Sequence, residues 1–273
     1  MAEVEAMGKT VGNAISSSKE EYIAQVLKEQ NLARVNRESA QVKPKKGLYA
    51  SFIKRLLDFV LGLIAFIVVS PINLVLAICT FFDVGRPIIF KQTRVGKDGK
   101  QFQIIKFRNM TNATDENGNL LPASQRVTKF GKFVRKYSLD ELLNFWSVIK
   151  GDMSIIGPRP LPVFFEERFS ERHKMRTAVR PGLECPRVIK DDSKPKYQVQ
   201  FENDIWYVEN VSFRTDLYLI WLLVKMVFDT EYRSMGASAG SYFVGYDENN
   251  NATGLKGFCR EHPEYEKQYE EAM

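Results

Sequence analysis

An aspartate and a glutamate stand side by side at Asp140 and Glu141, inside the stretch KYSLDELLNFW (137–147). Two adjacent carboxylates at that place can serve the backbone or serve chemistry. As backbone, Ser138 followed three residues later by Glu141 fits a capping box, in which the hydroxyl and the carboxylate satisfy orphan N–H groups of a helix's first turn. Acids there also suit the positive end of the helix dipole. As chemistry, an aspartate can attack phosphorus and carry the phosphoryl group as a covalent intermediate. Basic residues surround the pair in sequence: Lys106 and Arg108 in IIKFRNM, Arg135 in FVRKYSLDE and Arg159 in GPRP. A guanidinium can hold two phosphate oxygens at once. A phosphate drawn to such a cluster would repel Asp140, so a divalent cation is expected between them. Mg²⁺ held by one or two carboxylates is the usual arrangement. Most of these Arg and Lys residues, taken singly, read better as solvated surface charges, and both readings of the acid pair stay open on these residues alone.

The elements that must position these groups are legible in outline. From Ser138 the apolar residues Leu139, Leu142, Leu143, Trp146 and Ile149 predict a helix that stops at Lys150-Gly151. Upstream, two β-rich runs flank Gly96-Lys97-Asp98-Gly99 and predict a hairpin over 87–107. Downstream, Pro158 and Pro160 hold Arg159 in a stiff extended loop. VSFRTDLYLIWLLVKMVF (211–228) predicts an amphipathic helix, too interrupted by Arg214, Asp216 and Lys225 to span a bilayer, lying on the core or in a membrane interface.

The stretch LLDFVLGLIAFIVVSPINLVLAICTFF (56–82) is apolar enough for a membrane. A straight span needs roughly 20 residues, but Ser70-Pro71 removes a backbone donor in the middle and disfavours helix just before it. Both flanks are basic: Lys43, Lys45, Lys46, Lys54 and Arg55 before, Arg86, Lys91, Arg94, Lys97 and Lys100 after. Positive charge marks the cytoplasmic side. A helix broken at Ser70-Pro71 that enters and leaves by that face satisfies the rule at both ends; a kinked through-span is the alternative.

A chain of 273 residues with 44% hydrophobic residues has enough material for a substantial core. The formal charge of +6 suits an anionic partner such as a phospholipid surface or a phosphorylated substrate. Three cysteines, Cys79, Cys185 and Cys259, lie far apart in sequence, and only two histidines are present, which leaves little for a thiolate or histidine metal site. Composition divides the chain into a polar arm (1–47), either a surface or partly disordered segment or one in which Ser18 and Glu21 cap an amphipathic helix bearing Tyr22, Ile23, Val26 and Leu27, then a membrane helix (48–86), a mixed domain carrying the acid pair (87–229) and a loosely ordered tail (230–273).

In order along the chain, the broken apolar segment, FKQTRVG, KFRNM, VRKYSLDELLNFW, KGDMSIIGPRP and VRPG together resemble the monotopic phosphoglycosyl transferases over about residues 50–228. The resemblance implies an α/β, membrane-embedded catalytic domain with a re-entrant helix, a β-hairpin and amphipathic interfacial helices. It implies transfer of a sugar-1-phosphate from a nucleotide-diphosphate sugar, such as a UDP-sugar, to polyprenyl phosphate at the cytoplasmic face of the bacterial cell membrane, with Mg²⁺ as cofactor. Asp140 would be the nucleophile and Glu141 its partner in metal or proton work. Lys106, Arg108, Arg135, Arg159 and Asp204 would line the substrate site. Membrane lipid is implied as a further partner, and a homodimer is compatible with it. After VRPG this chain reads LECPRVIKDDS and lacks the Gly-Arg-Asn stretch usual in the family, which leaves the donor sugar open. The rival expectation is a non-catalytic membrane-surface scaffold or partner subunit. A nucleic-acid binder is disfavoured, because the basic residues bracket an apolar segment and do not interleave with aromatics along a groove.

Overall fold

A computed structural model describes residues 18–228 and 242–272. The first element, α1 (Lys19–Glu38), buries the expected face of Tyr22, Ile23, Val26 and Leu27. Its capping differs from the expectation. Ser18 occupies the cap position but makes no side-chain cap hydrogen bond, and the Glu21 carboxylate instead accepts from Arg168 at 2.8 Å.

A π-helical turn (Tyr49–Ile53) leads into α2 (Lys54–Val84), a continuous helix of 31 residues with Pro71 inside it. The break expected at Ser70-Pro71 does not end the helix. Ser70 Oγ donates to the Phe66 carbonyl at 2.6 Å, folding a polar side chain back onto the helix beside the place where proline contributes no N–H. The polarity of α2 is inverted relative to a helix in a water-soluble protein. Its buried residues are Lys54, Asp58, Gly62, Asn73, Leu76 and Thr80, while Val68 is 67% and Phe82 80% exposed. Apolar side chains outside and polar ones inside are stable only where the outer medium is hydrocarbon.

The domain lies against α2 from end to end. At the start, Lys54 Nζ pairs with Asp216 at 2.9 Å, and Asp58 accepts from Ser154 Oγ at 2.7 Å and Ile155 N at 3.1 Å. In the middle, Phe66 meets Trp146, with ring centroids 5.9 Å apart. Near the end, Leu76 packs with Phe107 and Val134, and Asp83 accepts from Thr128 Oγ1 at 2.6 Å.

The α/β expectation is met as a mixed helix-and-sheet fold: among the described residues there are three separate two-stranded sheets. Strands β1 (Ile89–Val95) and β2 (Gln101–Phe107) form the expected antiparallel hairpin, with Ile89 opposite Phe107 and Val95 opposite Gln101. Helix α3 (Lys129–Lys136) follows a polar loop, capped by Thr128 Oγ1, which accepts from Gly131 N at 2.8 Å. The single helix expected from Ser138 to Lys150 is instead a 3₁₀ helix (Leu139–Asn144) running into α4 (Phe145–Lys150), which ends on Gly151 at φ 95°, as its sequence indicates. Ser138 sits at φ 54° in the left-handed region and its side chain caps nothing, so the capping box is absent.

Strand β3 (Ser154–Ile156) pairs in parallel with β4 (Gly182–Glu184). Behind them, α5 (Lys196–Asn210) and α6 (Phe213–Phe228) complete the domain. One face of α6 joins the core through Leu219 and Leu222, and the other exposes Phe213, Leu217, Trp221 and Val224. The helix thus lies on the core, as one of the two expectations had it, and its other face is exposed and apolar.

The segment expected as a loose tail is folded where it is described. Strands β5 (Phe243–Tyr246) and β6 (Ala252–Gly254) form a hairpin, followed by α7 (Leu255–Glu261) and α8 (Glu264–Ala272). Residues 229–241, where the Gly/Ser-rich part of that expectation falls, lie outside the described residues. Apolar residues that read as sparse in sequence, Phe243, Val244 and Tyr246, are fully buried against α1, Phe165, Phe169 and Phe201. Arg168 joins the three parts, donating to Phe243 O and Glu21 at 2.8 Å each.

Candidate active site

Asp140 is buried at the start of the 3₁₀ helix, with 6% of its surface exposed. Its Oδ2 accepts from Asn109 Nδ2 at 3.1 Å, and Asn109 Oδ1 in turn accepts from Arg135 Nε at 3.0 Å. The placement of Asn109 depends on Gly131: a Cβ there would lie 2.2 Å from the Asn109 carbonyl oxygen, so only glycine lets α3 press so close. Among the described residues Asp140 has no ion-pair partner within 4 Å. Burial and, after it, the adjacent Glu141 charge push its carboxyl above the usual range, against the pull of Lys106 and Arg135.

Glu141 is set differently. Its Oε1 receives Lys106 Nζ at 2.6 Å and Arg159 Nη2 at 2.5 Å. Burial alone would raise this carboxyl, but Arg159 and Lys106 overcome it and hold it below the ordinary value. Lys106 arrives from the end of β2 and Arg159 from the GPRP loop, so the glutamate draws cations from two elements to one point beside Asp140. The GPRP loop is fixed by a close backbone contact. A Cβ on Gly182 would meet Gly157 N at 2.2 Å, and Gly182 N donates to Pro158 O at 3.0 Å.

The other expected site residues divide. Arg135 faces the site through Asn109. Arg108 lines the same cavity, but its guanidinium donates to the carbonyls of Val84, Gly85 and Arg86, tying down the end of α2. Asp204 is buried in an ion pair with Arg176 Nη2 at 2.5 Å, and Arg176 also donates to Arg159 O at 2.8 Å. It thus supports the Arg159 loop from behind. Asn109 was not singled out by sequence reasoning, although it directly follows Arg108 in KFRNM. Glu184, 3.7 Å from Arg159, carried no signal beyond its nearness to VRPG.

These groups line a cavity of about 1170 Å³. Its wall is cationic at Lys106, Arg126, Arg135 and Arg159, apolar at Phe90, Leu120, Phe145 and Met226, and acidic at Asp140, Glu141, Glu184 and Asp204. Such a site can bind a polyanion beside an apolar group and present a carboxylate to it. Among the described residues no cluster of three or more His, Cys, Asp or Glu side chains could hold a metal ion. A divalent ion here would rest on Asp140 and Glu141 alone and draw its remaining ligands from substrate phosphates and water, which is how Mg²⁺ commonly binds. The destabilised, unpaired Asp140 carboxylate fits that requirement.

Comparison with known proteins agrees with the geometry. Residues 49–230 match the family described as bacterial sugar transferase. The chain is 38% identical over 179 residues to the uncharacterized sugar transferase EpsL of Bacillus subtilis, covering 66% of this chain and 89% of that protein. It is 36% identical over 192 residues to a UDP-N-acetylgalactosamine-undecaprenyl-phosphate N-acetylgalactosaminephosphotransferase of Aeromonas hydrophila and to a UDP-glucose:undecaprenyl-phosphate glucose-1-phosphate transferase of Klebsiella pneumoniae. The match takes in 66% of this chain in both cases but spans only 44% and 41% of those relatives' lengths. With the cation-lined acid pair inside the matched region, the chain belongs to the bacterial sugar transferase family.

Proposed function

We propose that this chain transfers a sugar-1-phosphate from a UDP-sugar to polyprenyl phosphate, giving polyprenyl-diphosphate-sugar and UMP. The observation that carries the reading is Asp140: a buried carboxylate with no ion-pair partner among the described residues, inside a cavity that also presents Lys106, Arg135 and Arg159 and an apolar wall. An oxygen of Asp140 attacks the phosphorus nearer the sugar. The bond to the nucleoside monophosphate breaks, UMP leaves, and the sugar phosphate stays on the aspartate. A phosphate oxygen of the polyprenyl phosphate then attacks the same phosphorus and the Asp140 carboxylate is released. Lys106, Arg135 and Arg159 hold the phosphate oxygens through both steps. Glu141 keeps Lys106 and Arg159 in place; its depressed carboxyl is a poor proton acceptor and a good anchor. Mg²⁺ held by Asp140 and Glu141 would neutralise the donor's diphosphate.

The same geometry supports a membrane placement. A straight helix of 31 residues is about 46 Å long, yet residues at both its ends touch one polar domain, through Asp58 and through Asp83. A span would separate those ends by the bilayer. This supports a helix that enters and leaves the membrane by its cytoplasmic face, as the basic flanks favour, bending at Pro71 without ending there. An open apolar groove of about 860 Å³ beside Ala77, Ile78, Phe81 and Phe82, with Arg86 at its rim, suits an isoprenoid chain. Arg108 ties that rim to the catalytic cavity. The relatives named for UDP-sugars and undecaprenyl phosphate support the same assignment of substrates. The test is incubation with radiolabelled UDP-sugars alone followed by acid quench. A protein-bound sugar phosphate is expected in the wild type, and its absence from every donor overturns the covalent route.

A further inference from the structure

The carboxylates of Glu141 and Glu184 lie on either side of one guanidinium. Arg159 Nη2 is 2.5 Å from Glu141 Oε1, and Nη1 is 3.7 Å from Glu184 Oε2. Glu184 is thus one guanidinium removed from Glu141, the neighbour of Asp140. Its position is set by pairing, Ile156 opposite Glu184 in the β3–β4 ladder, with Gly157 N donating to Glu184 O at 3.2 Å. Its Oε1 accepts from Cys185 N at 3.1 Å, whereas Oε2 lies beyond hydrogen-bond distance of Arg159.

Helix α5 presents Gln200, Asn203 and Asp204 to the same cavity, on one face by their spacing. Asn203 is engaged: its Oδ1 accepts from Val188 N at 2.7 Å and Ile189 N at 3.3 Å, which fixes the loop after Glu184. Asp204 is engaged by Arg176. Gln200 Oε1 is buried and has no hydrogen-bond partner among the described residues. A buried acceptor left unpaired is costly unless a ligand satisfies it. Glu184 Oε2, held only by the 3.7 Å ion pair with Arg159, and the unpartnered Gln200 Oε1 thus belong to two residues that line this cavity.

We propose that Glu184 and Gln200 form the subsite that selects the donor's sugar, accepting hydrogen bonds from its hydroxyl or amino groups and repelling a uronic acid. This rests on the transferase reading above and adds to it which atoms choose the sugar. The chemistry is complementary: acceptors on the wall require donors on the ring, and a carboxylate on the wall disfavours a carboxylate on the sugar.

The experiment uses the full chain with a panel of UDP-hexoses, their 2-acetamido forms, epimers and UDP-glucuronate. Glu184→Gln and Gln200→Leu are each expected to raise KM for the best donor by about tenfold or more. The advantage of that donor over its epimer should shrink, while KM for polyprenyl phosphate and inhibition by UMP stay unchanged. Glu184→Gln alone should improve use of UDP-glucuronate. A proportional loss across all donors, or none, overturns the subsite and leaves the transferase reading standing. Calorimetry with UDP-hexose against UDP separates the two ideas where turnover is absent. A sugar-dependent gain in affinity that both variants abolish supports the subsite even without an adduct; no such gain in the wild type overturns it.

Discussion

At the scale of residues, the two adjacent acids are opposites. Asp140 is buried without a cation and Glu141 is gripped by two. Asp140→Asn should abolish the acid-stable adduct and also stabilise the fold, because it removes a buried charge that the folded state disfavours. A rise in melting temperature of about 1–3 °C, measured by scanning fluorimetry in detergent, is the expected sign. The sign follows from the raised carboxyl: the folded state holds this proton more tightly than the unfolded chain, so ionising Asp140 costs stability as pH rises. For the same reason the rate of adduct formation should fall on acidification at a pH above that at which an ordinary aspartate protonates. A rate that stays flat down to the ordinary aspartate range would sink this role for Asp140. Glu141→Gln should behave in the other way, costing about 1–3 kcal/mol in a urea titration by leaving Lys106 and Arg159 without their anion. Were the glutamate a helix cap, glutamine would substitute for it freely. That cations gather at the pair was legible in KFR and GPRP, which supply the Lys106 and Arg159 that meet Glu141. Its local geometry was not, because Ser138 takes a left-handed conformation that a pattern of residue types does not record.

Among the elements, those built on local signals were the legible ones. The β1–β2 hairpin turns where Gly96 to Gly99 indicate, α4 stops on Gly151, and α1 buries the face its periodicity marks. The elements misjudged were those decided by contacts distant in sequence. Pro71 was read as a break because proline costs an isolated helix a hydrogen bond, but α2 is held along its length by Asp216, Ser154, Trp146 and Thr128, and continues. This gives a topological prediction. Cysteines at Lys46 and Lys97 in intact cells should both be shielded from a membrane-impermeant maleimide and both react after the membrane is opened. Labelling of one and not the other from outside would show a through-span.

For the molecule as a whole, the segments before and after the catalytic domain are one structure. Tyr246 joins them to it: its hydroxyl accepts from Ser170 N at 2.9 Å and meets His173 Nδ1 at 2.8 Å, and His173 Nε2 meets Glu202 at 3.0 Å. Tyr246→Phe should cost about 1–3 kcal/mol in the same urea titration by leaving those partners unsatisfied. Composition concealed this module because its apolar residues are few and lie among Gly, Asn and acidic residues. Only the folded contacts show that Phe243 and Tyr246 complete a core begun by α1. That closure has a consequence in time. On a ribosome, α1 emerges about two hundred residues ahead of β5, which at about 5–20 residues per second is a wait of about 10–40 s. Through that interval Ile23, Leu27 and Val35 have no β5–β6 hairpin to cover them, while α2, already synthesised, is drawn toward lipid. A ribosome that stalls just before codon 243 would leave every residue of the candidate site made and this flank of the domain still open.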